Sequence, residues 1–144
     1  MPLSKKFLLL LLPVAALAAT TQVSTDKPVI NFRLPTFTPE GHRSWLVRGS
    51  EARFSAKNQI EIRELTLTIY TGLVDEKIET MILSPAARVQ PDESLVTGPG
   101  TIRVINDDFE ASGVDWRYIH KEKRVSINQH VHVTFHAELK DFLK

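Results

Sequence analysis

The feature that most constrains the fold is an alternation of apolar and polar residues with a period of two, which recurs from Pro28 almost to the C-terminus. Residues 58–70 (NQIEIRELTLTIY) show it in two runs, Ile60 and Ile62, then Leu65, Leu67 and Ile69. Because successive side chains of a strand point to opposite faces, this spacing predicts half-buried β-strands. The phase changes at Arg63–Glu64, which predicts either a bulge or two strands that meet at a bend.

Turn-forming segments separate the short runs, namely PEGH (39–42), TGLVDE (71–76), QPDES (90–94), TGPG (97–100) and INDD (105–108). No window keeps the apolar stripe of a helix, and the apolar residues are largely β-branched. The sequence therefore predicts an all-β fold with mostly antiparallel neighbours, and 144 residues suffice for one domain. Strands this short cannot bury an apolar face in a single layer, so we expect a sandwich, a barrel or a half-open roll.

The N-terminal segment has the layout of a secretory signal. Lys5 and Lys6 precede an apolar run of 13 residues from Phe7 to Ala19, and Ala16 and Ala18 have A-x-A spacing. A spanning helix needs roughly 20 residues, which disfavours a retained membrane anchor. We expect residues 1–18 to be a cleaved signal peptide, residues 19–27 to be a flexible lead, and the mature protein to be secreted.

Composition and motifs narrow the function classes. Cysteine is absent, so neither disulfides nor a lipid-bearing cysteine is expected. Removing Lys5 and Lys6 from the formal charge of +1 leaves −1, which lacks the basic excess typical of nucleic-acid binding. Neither G-x-S-x-G nor H-E-x-x-H occurs, and the acidic NDDFE segment (106–110) reads as a hairpin end. We therefore predict a protein that is not an enzyme and needs no cofactor.

A histidine-rich stretch, INQHVHVTFHAEL (127–139), offers one alternative. Strand alternation would place the histidines with Thr134 on one face, namely His130, His132 and His136, and would turn Val131, Val133 and Phe135 to the other. An H-x-H pair can chelate zinc or copper, but a working site needs further ligands, and the apolar face should point inward. A secreted, cupin-like metal-binding roll remains the alternative, although the main prediction includes no metal.

Two segments share a pattern of glycine, tryptophan and apolar residues. In FRLPTFTPEGHRSWLVRGSEARF (32–54) its positions are Phe37, Gly41, Trp45, Leu46, Gly49 and Ala52. In ASGVDWRYIHKEKRVSINQHVHV (111–133) they are Gly113, Trp116, Val125, Ile127 and Val131. Both segments resemble the lipopolysaccharide-transport domains of the LptC-like and OstA-like (LptA-like) group, which implies a periplasmic location. The resemblance implies a single antiparallel β-jellyroll, an open roll, over residues 28–139, with residues 140–144 as a tail. The apolar run near the N-terminus is short and ends in an A-x-A site, which favours a soluble LptA-like role, whereas the sequence of the folded part is closer to the LptC-like pattern.

The same resemblance implies that the roll holds the acyl chains of lipid A and pairs edge to edge with other jellyroll domains of a bridge to the outer membrane. The candidate lipid-binding residues are Trp45, Val47, Ile60, Ile62, Leu67, Ile69, Ile102, Val104, Phe109, Trp116, Ile127, Val131, Val133 and Phe135. The last strand, 124–135, is the candidate docking edge. A further alternative is a closed β-sandwich that serves as an adhesion module.

Overall fold

The computed structural model describes residues 27–55 and 57–136. The predicted signal peptide (1–18), the flexible lead apart from Lys27 and the tail (140–144) lie outside the described residues. The same holds for residues 137–139, the end of the predicted domain.

Seven strands make up almost all of the described structure. They are β1 (Val29–Phe37), β2 (Arg43–Phe54), β3 (Ile60–Tyr70), β4 (Ile78–Gln90), β5 (Leu95–Asn106), β6 (Phe109–Ile119) and β7 (Arg124–Phe135). Each strand pairs antiparallel with the next, in the order β1-β2-β3-β4-β5-β6-β7, and single 3₁₀ turns lie at Pro91–Glu93 and His120–Glu122. The all-β prediction is confirmed: one open antiparallel sheet forms a jellyroll-like open roll.

The strands bend together along one transverse row, which we call the bend row. In β3, Glu64 has φ 53°, and the same left-handed conformation occurs at Asn31 in β1, Asp115 in β6 and His130 in β7. Such φ values are uncommon for residues other than glycine and interrupt the pleat. The phase change predicted at Arg63–Glu64 is therefore a bend within one continuous strand.

Neighbouring strands change phase at the same level. The inward positions pass from Val47 to Ala52 in β2 and from Ser84 to Ala87 in β4, each an odd step along the chain. Because the strands shift in concert, the ladders from β1 to β4 keep their register across the bend row. The sheet thus folds back on itself along a line that crosses the strands, and its apolar face becomes buried, which a single flat layer would not achieve.

Folding over brings distant strands into one core. Trp45, near the start of β2, packs against Tyr118, near the end of β6, with ring centroids 6.3 Å apart. Leu67 and Ile82 in the central strands are fully buried. Strands β2 to β6 contribute most of the buried side chains of this core, β1 contributes Phe32, and Val125 and Ile127 of β7 pack partly buried against them.

The ladder between β4 and β5 opens at the bend row. Pairing stops at Leu83↔Arg103 and resumes at Arg88↔Thr97 with a register shift. Inside this opening the buried Ser84 hydroxyl donates to the carbonyl of Thr101 at 2.7 Å, replacing a ladder bond. This region we call the β4–β5 opening.

The turn predicted at TGPG (97–100) is wrong, because these residues lie inside β5. Gly98 is required there for a packing reason: a Cβ would lie 2.5 Å from Nε1 of Trp116. Glycine in a strand can therefore mark a close approach rather than a chain reversal. The other four predicted turn segments lie at strand connections, and Asn106 caps the last of them by accepting from the N–H groups of Asp108 and Phe109.

Candidate functional site

The predicted lipid-binding residues fall into three groups by burial. Nine belong to the buried core: Trp45, Val47, Ile60, Ile62, Leu67, Ile69, Ile102, Val104 and Trp116. Phe109 and Ile127 are half-buried against that core. Val131, Val133 and Phe135 are 50%, 46% and 60% exposed. The prediction therefore combines a closely packed interior with an accessible border on β7.

That border is an apolar patch on the inner side of the sheet, here called the β7 margin and formed by Phe109, Val131, Val133 and Phe135. Val133 lies opposite the buried Ala111, and Phe135 lies opposite Phe109. The two phenylalanine rings meet edge to face with centroids 6.4 Å apart. The β7 margin continues the apolar inner face outward to the last strand, where it is open to solvent.

The backbone of β7 is also an edge of the sheet. Within the described chain β7 pairs only with β6, and β1 forms the opposite edge. An exposed edge strand is a template for pairing with another chain unless proline, charge or a bulge blunts it. β1 contains Pro35 in its second half, whereas β7 has no proline and is interrupted only by the left-handed His130. Residues 131–134 of β7 are thus the less protected edge.

The histidine cluster does not assemble. His130, His132 and His136 are all exposed, and His130 has a left-handed backbone conformation that interrupts the regular pleat of β7. His132 itself lies opposite Ser112. Within the described parts of the chain, no group of three or more His, Asp or Glu side chains is placed to hold a metal ion.

Sequence reasoning missed a second cluster, formed around His120, the first residue of the 3₁₀ turn that follows β6. Nε2 of His120 lies 2.6 Å from the Ser44 hydroxyl, and Nδ1 lies 2.8 Å from the Tyr118 hydroxyl. The ring also stacks on Trp45, with centroids 4.8 Å apart and planes 10° from parallel. We call these four residues the His120 clasp. It ties the start of β2 to the end of β6, two strands that are not neighbours in the sheet.

Burial sets the protonation of the His120 clasp. Desolvation, followed by the charge of Lys123, lowers the pKa of His120, and desolvation raises the pKa of Tyr118 above its ordinary range. Both side chains are therefore neutral near pH 7, so one ring nitrogen accepts a hydrogen bond and the other donates one. No local pattern could reveal this contact, because Ser44 and His120 are 76 residues apart.

Comparison with known proteins adds no assignment: no protein-family model matches the chain, and no curated protein matches its sequence. Across residues 27–55 and 57–136, no helix has the length and apolar character needed to cross a bilayer.

Proposed function

We propose that this protein is a non-catalytic, periplasmic lipid-binding protein of the LptC-like and OstA-like kind, which carries lipopolysaccharide as part of a transport bridge to the outer membrane. The single observation that carries the proposal is the β7 margin, where an apolar inner face reaches the open edge of a rolled sheet. The secretory layout of residues 1–18 supports the periplasmic location.

The chemistry of the β7 margin suits fatty acyl chains. Its four side chains are aliphatic or aromatic, and each methylene buried there contributes about 0.8 kcal/mol. Exposed apolar patches of this kind mark binding sites more often than ordinary surface. In the interior, Val47, Leu67 and Ile82 are only 0–1% exposed. We therefore place the acyl chains along the β7 margin first, and deeper entry would require the packed core side chains to move apart.

Partner docking would use the neighbouring edge. A strand from another jellyroll domain can add to β7 through backbone hydrogen bonds, the mode known as β-augmentation. Residues 131–134 are the favoured segment, because they follow the left-handed His130 and contain no proline. Hydrogen exchange in the presence of a bridge protein should then slow at the edge amides of β7 and stay unchanged in β1.

Site-specific photo-crosslinking to lipopolysaccharide tests lipid binding directly. One variant carries the photoreactive residue at Phe135 and the matched control carries it at His132, three positions away on the same strand and on the outer face. We expect crosslinks from position 135 and none from position 132. Equal crosslinking at both positions, or at position 132 alone, would contradict the proposed site.

The close packing of the core favours one second candidate, a closed β-sandwich that acts as an adhesion module. It predicts the same fold and high stability but no lipid uptake. Absence of crosslinks from both positions, together with an unchanged melting temperature on adding lipopolysaccharide, would favour it, since a ligand that binds only the native state must stabilise that state.

A further inference from the structure

Two neighbouring arginines on the outer face of the sheet have no anionic partner. All nine arginines of the chain lie in the described residues, and six of them form ion pairs with glutamates: Arg43, Arg53, Arg63, Arg88, Arg103 and Arg124. Within the described part of the chain, the side chains of Arg33, Arg48 and Arg117 make neither an ion pair nor a hydrogen bond. Arg33 and Arg48 adjoin each other, and we call them the arginine pair.

The register of the first two strands holds the arginine pair together. Arg33 of β1 is the direct cross-strand partner of Arg48 of β2. Their chain neighbours Phe32 and Val47 are buried in the core, so strand alternation turns both arginines outward, where both are exposed. The Cβ atoms of such partners lie about 4.5–5.5 Å apart, and like charges directly opposite each other destabilise a sheet. The arginine pair is therefore a local repulsion that a bound anion would relieve.

The arginine pair borders a pocket at the bend row. Its volume of about 510 Å³ is large enough for a phosphate and part of the group that carries it. Asn31 and Thr66, the next cross-strand neighbour of Arg48, add polar side chains to the pocket. Glu64 also lines it, but this carboxylate forms no ion pair with either arginine. Two arginines and one glutamate give the pocket a formal charge of +1, and its cationic donors are open to solvent.

A phosphate group suits the arginine pair better than a carboxylate does. Each guanidinium is a planar, permanently charged fork that can donate two parallel hydrogen bonds to either kind of anion. A carboxylate has two oxygens and a single negative charge, so it can neutralise only one of the two arginines. A phosphate monoester at pH 7 has a charge of about −1.5 to −2 and three acceptor oxygens, so both forks can bind it at once.

We propose that the arginine pair binds a phosphate group, with the two guanidinium forks donating to its oxygens together. The phosphate belongs either to a soluble monoester or to a lipid headgroup, and experiment separates these two sources. The site lies on the opposite face of the sheet from the β7 margin, so it does not depend on the binding of acyl chains there.

Nuclear magnetic resonance with glycerol 1-phosphate as the probe tests the site. The isotope-labelled protein is titrated to about 20 mM, well above a millimolar Kd, at about pH 7.5, where the phosphate is mostly dianionic. Sodium chloride keeps the ionic strength constant, because salt screens exposed charges. We expect glycerol 1-phosphate to shift the amide signals of Arg33, Arg48 and Thr66 in a saturable way, and acetate at the same concentration to leave them in place.

Three variants separate specific binding from general attraction to positive charge. Arg48→Gln removes one fork and should raise the Kd at least about tenfold, the effect of losing charge-assisted hydrogen bonds. Glu64→Gln removes the one carboxylate among the described residues of the pocket and should lower the Kd about two- to fivefold. Arg117→Gln is the matched control and should leave the Kd unchanged. Arg117 is also exposed and unpaired, but its cross-strand partners are Thr97 and Ser126 instead of another arginine. Backbone spectra check the fold of each variant.

Sedimentation with vesicles separates the two sources of phosphate. One set of phosphatidylcholine vesicles contains about one-fifth phosphatidic acid, a monoester lipid, and the control set contains phosphatidylcholine alone. A lipid headgroup is the source if the wild type sediments with the first set and Arg48→Gln stays in solution. A soluble monoester is the source if glycerol 1-phosphate binds and the vesicles do not.

The phosphate assignment is wrong under any of three results. The first is that neither glycerol 1-phosphate nor the phosphatidic acid vesicles bind in a way that depends on Arg48. The second is an equal rise in the Kd for Arg48→Gln and Arg117→Gln, which would mean that only the net charge matters. The third is that acetate shifts the same amide signals as strongly as glycerol 1-phosphate does.

Discussion

Replacing Phe135 by glutamate should separate lipid binding from folding. The side chain is 60% exposed and so has lost about 40% of its surface to burial. Full burial of a phenylalanine is worth about 1.5–3 kcal/mol, so its loss should lower the free energy of unfolding by roughly 1 kcal/mol. The melting temperature should then fall by about 4 °C, and circular dichroism should still show the folded β-sheet.

The effect on lipid should be much larger. If the ring covers about three methylenes of an acyl chain, its removal costs about 2.4 kcal/mol, or roughly a 50-fold loss of affinity. The charge makes the loss greater, because the carboxylate would have to lose its water. His132→Glu is the control on the outer face of the same strand.

Binding of fluorescently labelled lipopolysaccharide to the two variants is the assay for that contrast. We expect the affinity to fall for Phe135→Glu and to stay at the wild-type value for His132→Glu. Equal affinity in the two variants, whether both retained or both lost, would show that the β7 margin does not hold the lipid.

Three further predictions concern the fold. Leu67→Ala, at a fully buried site, should lower the free energy of unfolding in urea by about 2–5 kcal/mol. Ser84→Ala leaves the Thr101 carbonyl in the β4–β5 opening without its donor, and should lower the free energy of unfolding by about 1–3 kcal/mol in the same measurement. An unchanged free energy of unfolding would mean that this hydrogen bond does not stabilise the fold. Burial lowers the pKa of His120, so the unfolded chain binds a proton more readily than the folded one. The contribution of neutral His120 to the free energy of unfolding is therefore complete above the ordinary imidazole pKa of 6.5, and it is lost as the pH falls through the pKa of the folded state. The melting temperature of the wild type should therefore drop more between pH 7 and about pH 5 than that of His120→Gln.

Particular residues show how far sequence reasoning reached. Period two alone predicts an apolar face that includes Ile60, Ile62, Leu67 and Ile69, and all four are buried. The phase change at Arg63–Glu64 was also visible. The sequence does not distinguish one bent strand from two separate strands at this point, because the outcome depends on whether neighbouring strands change phase at the same level.

The errors and omissions have a common cause. TGPG (97–100) has the composition of a turn, yet Gly98 lies in a strand because Trp116 occupies the space of its side chain. The alternation around His130 gave no sign of its left-handed conformation. For Gly98 the deciding contact comes from Trp116 in another strand, and the left-handed His130 lies in the bend row that several strands share, so neither is contained in a local pattern.

The sequence by itself determined that this chain forms antiparallel strands with one apolar face, because alternation and turn chemistry are local properties of the backbone. Only the tertiary structure decided where the strands bend, which part of the apolar face stays exposed to solvent on β7, and which distant groups meet in the His120 clasp. The physical reason is that folding the sheet across the bend row brings strands together that are far apart in sequence, and the packing between them is a property of the whole sheet.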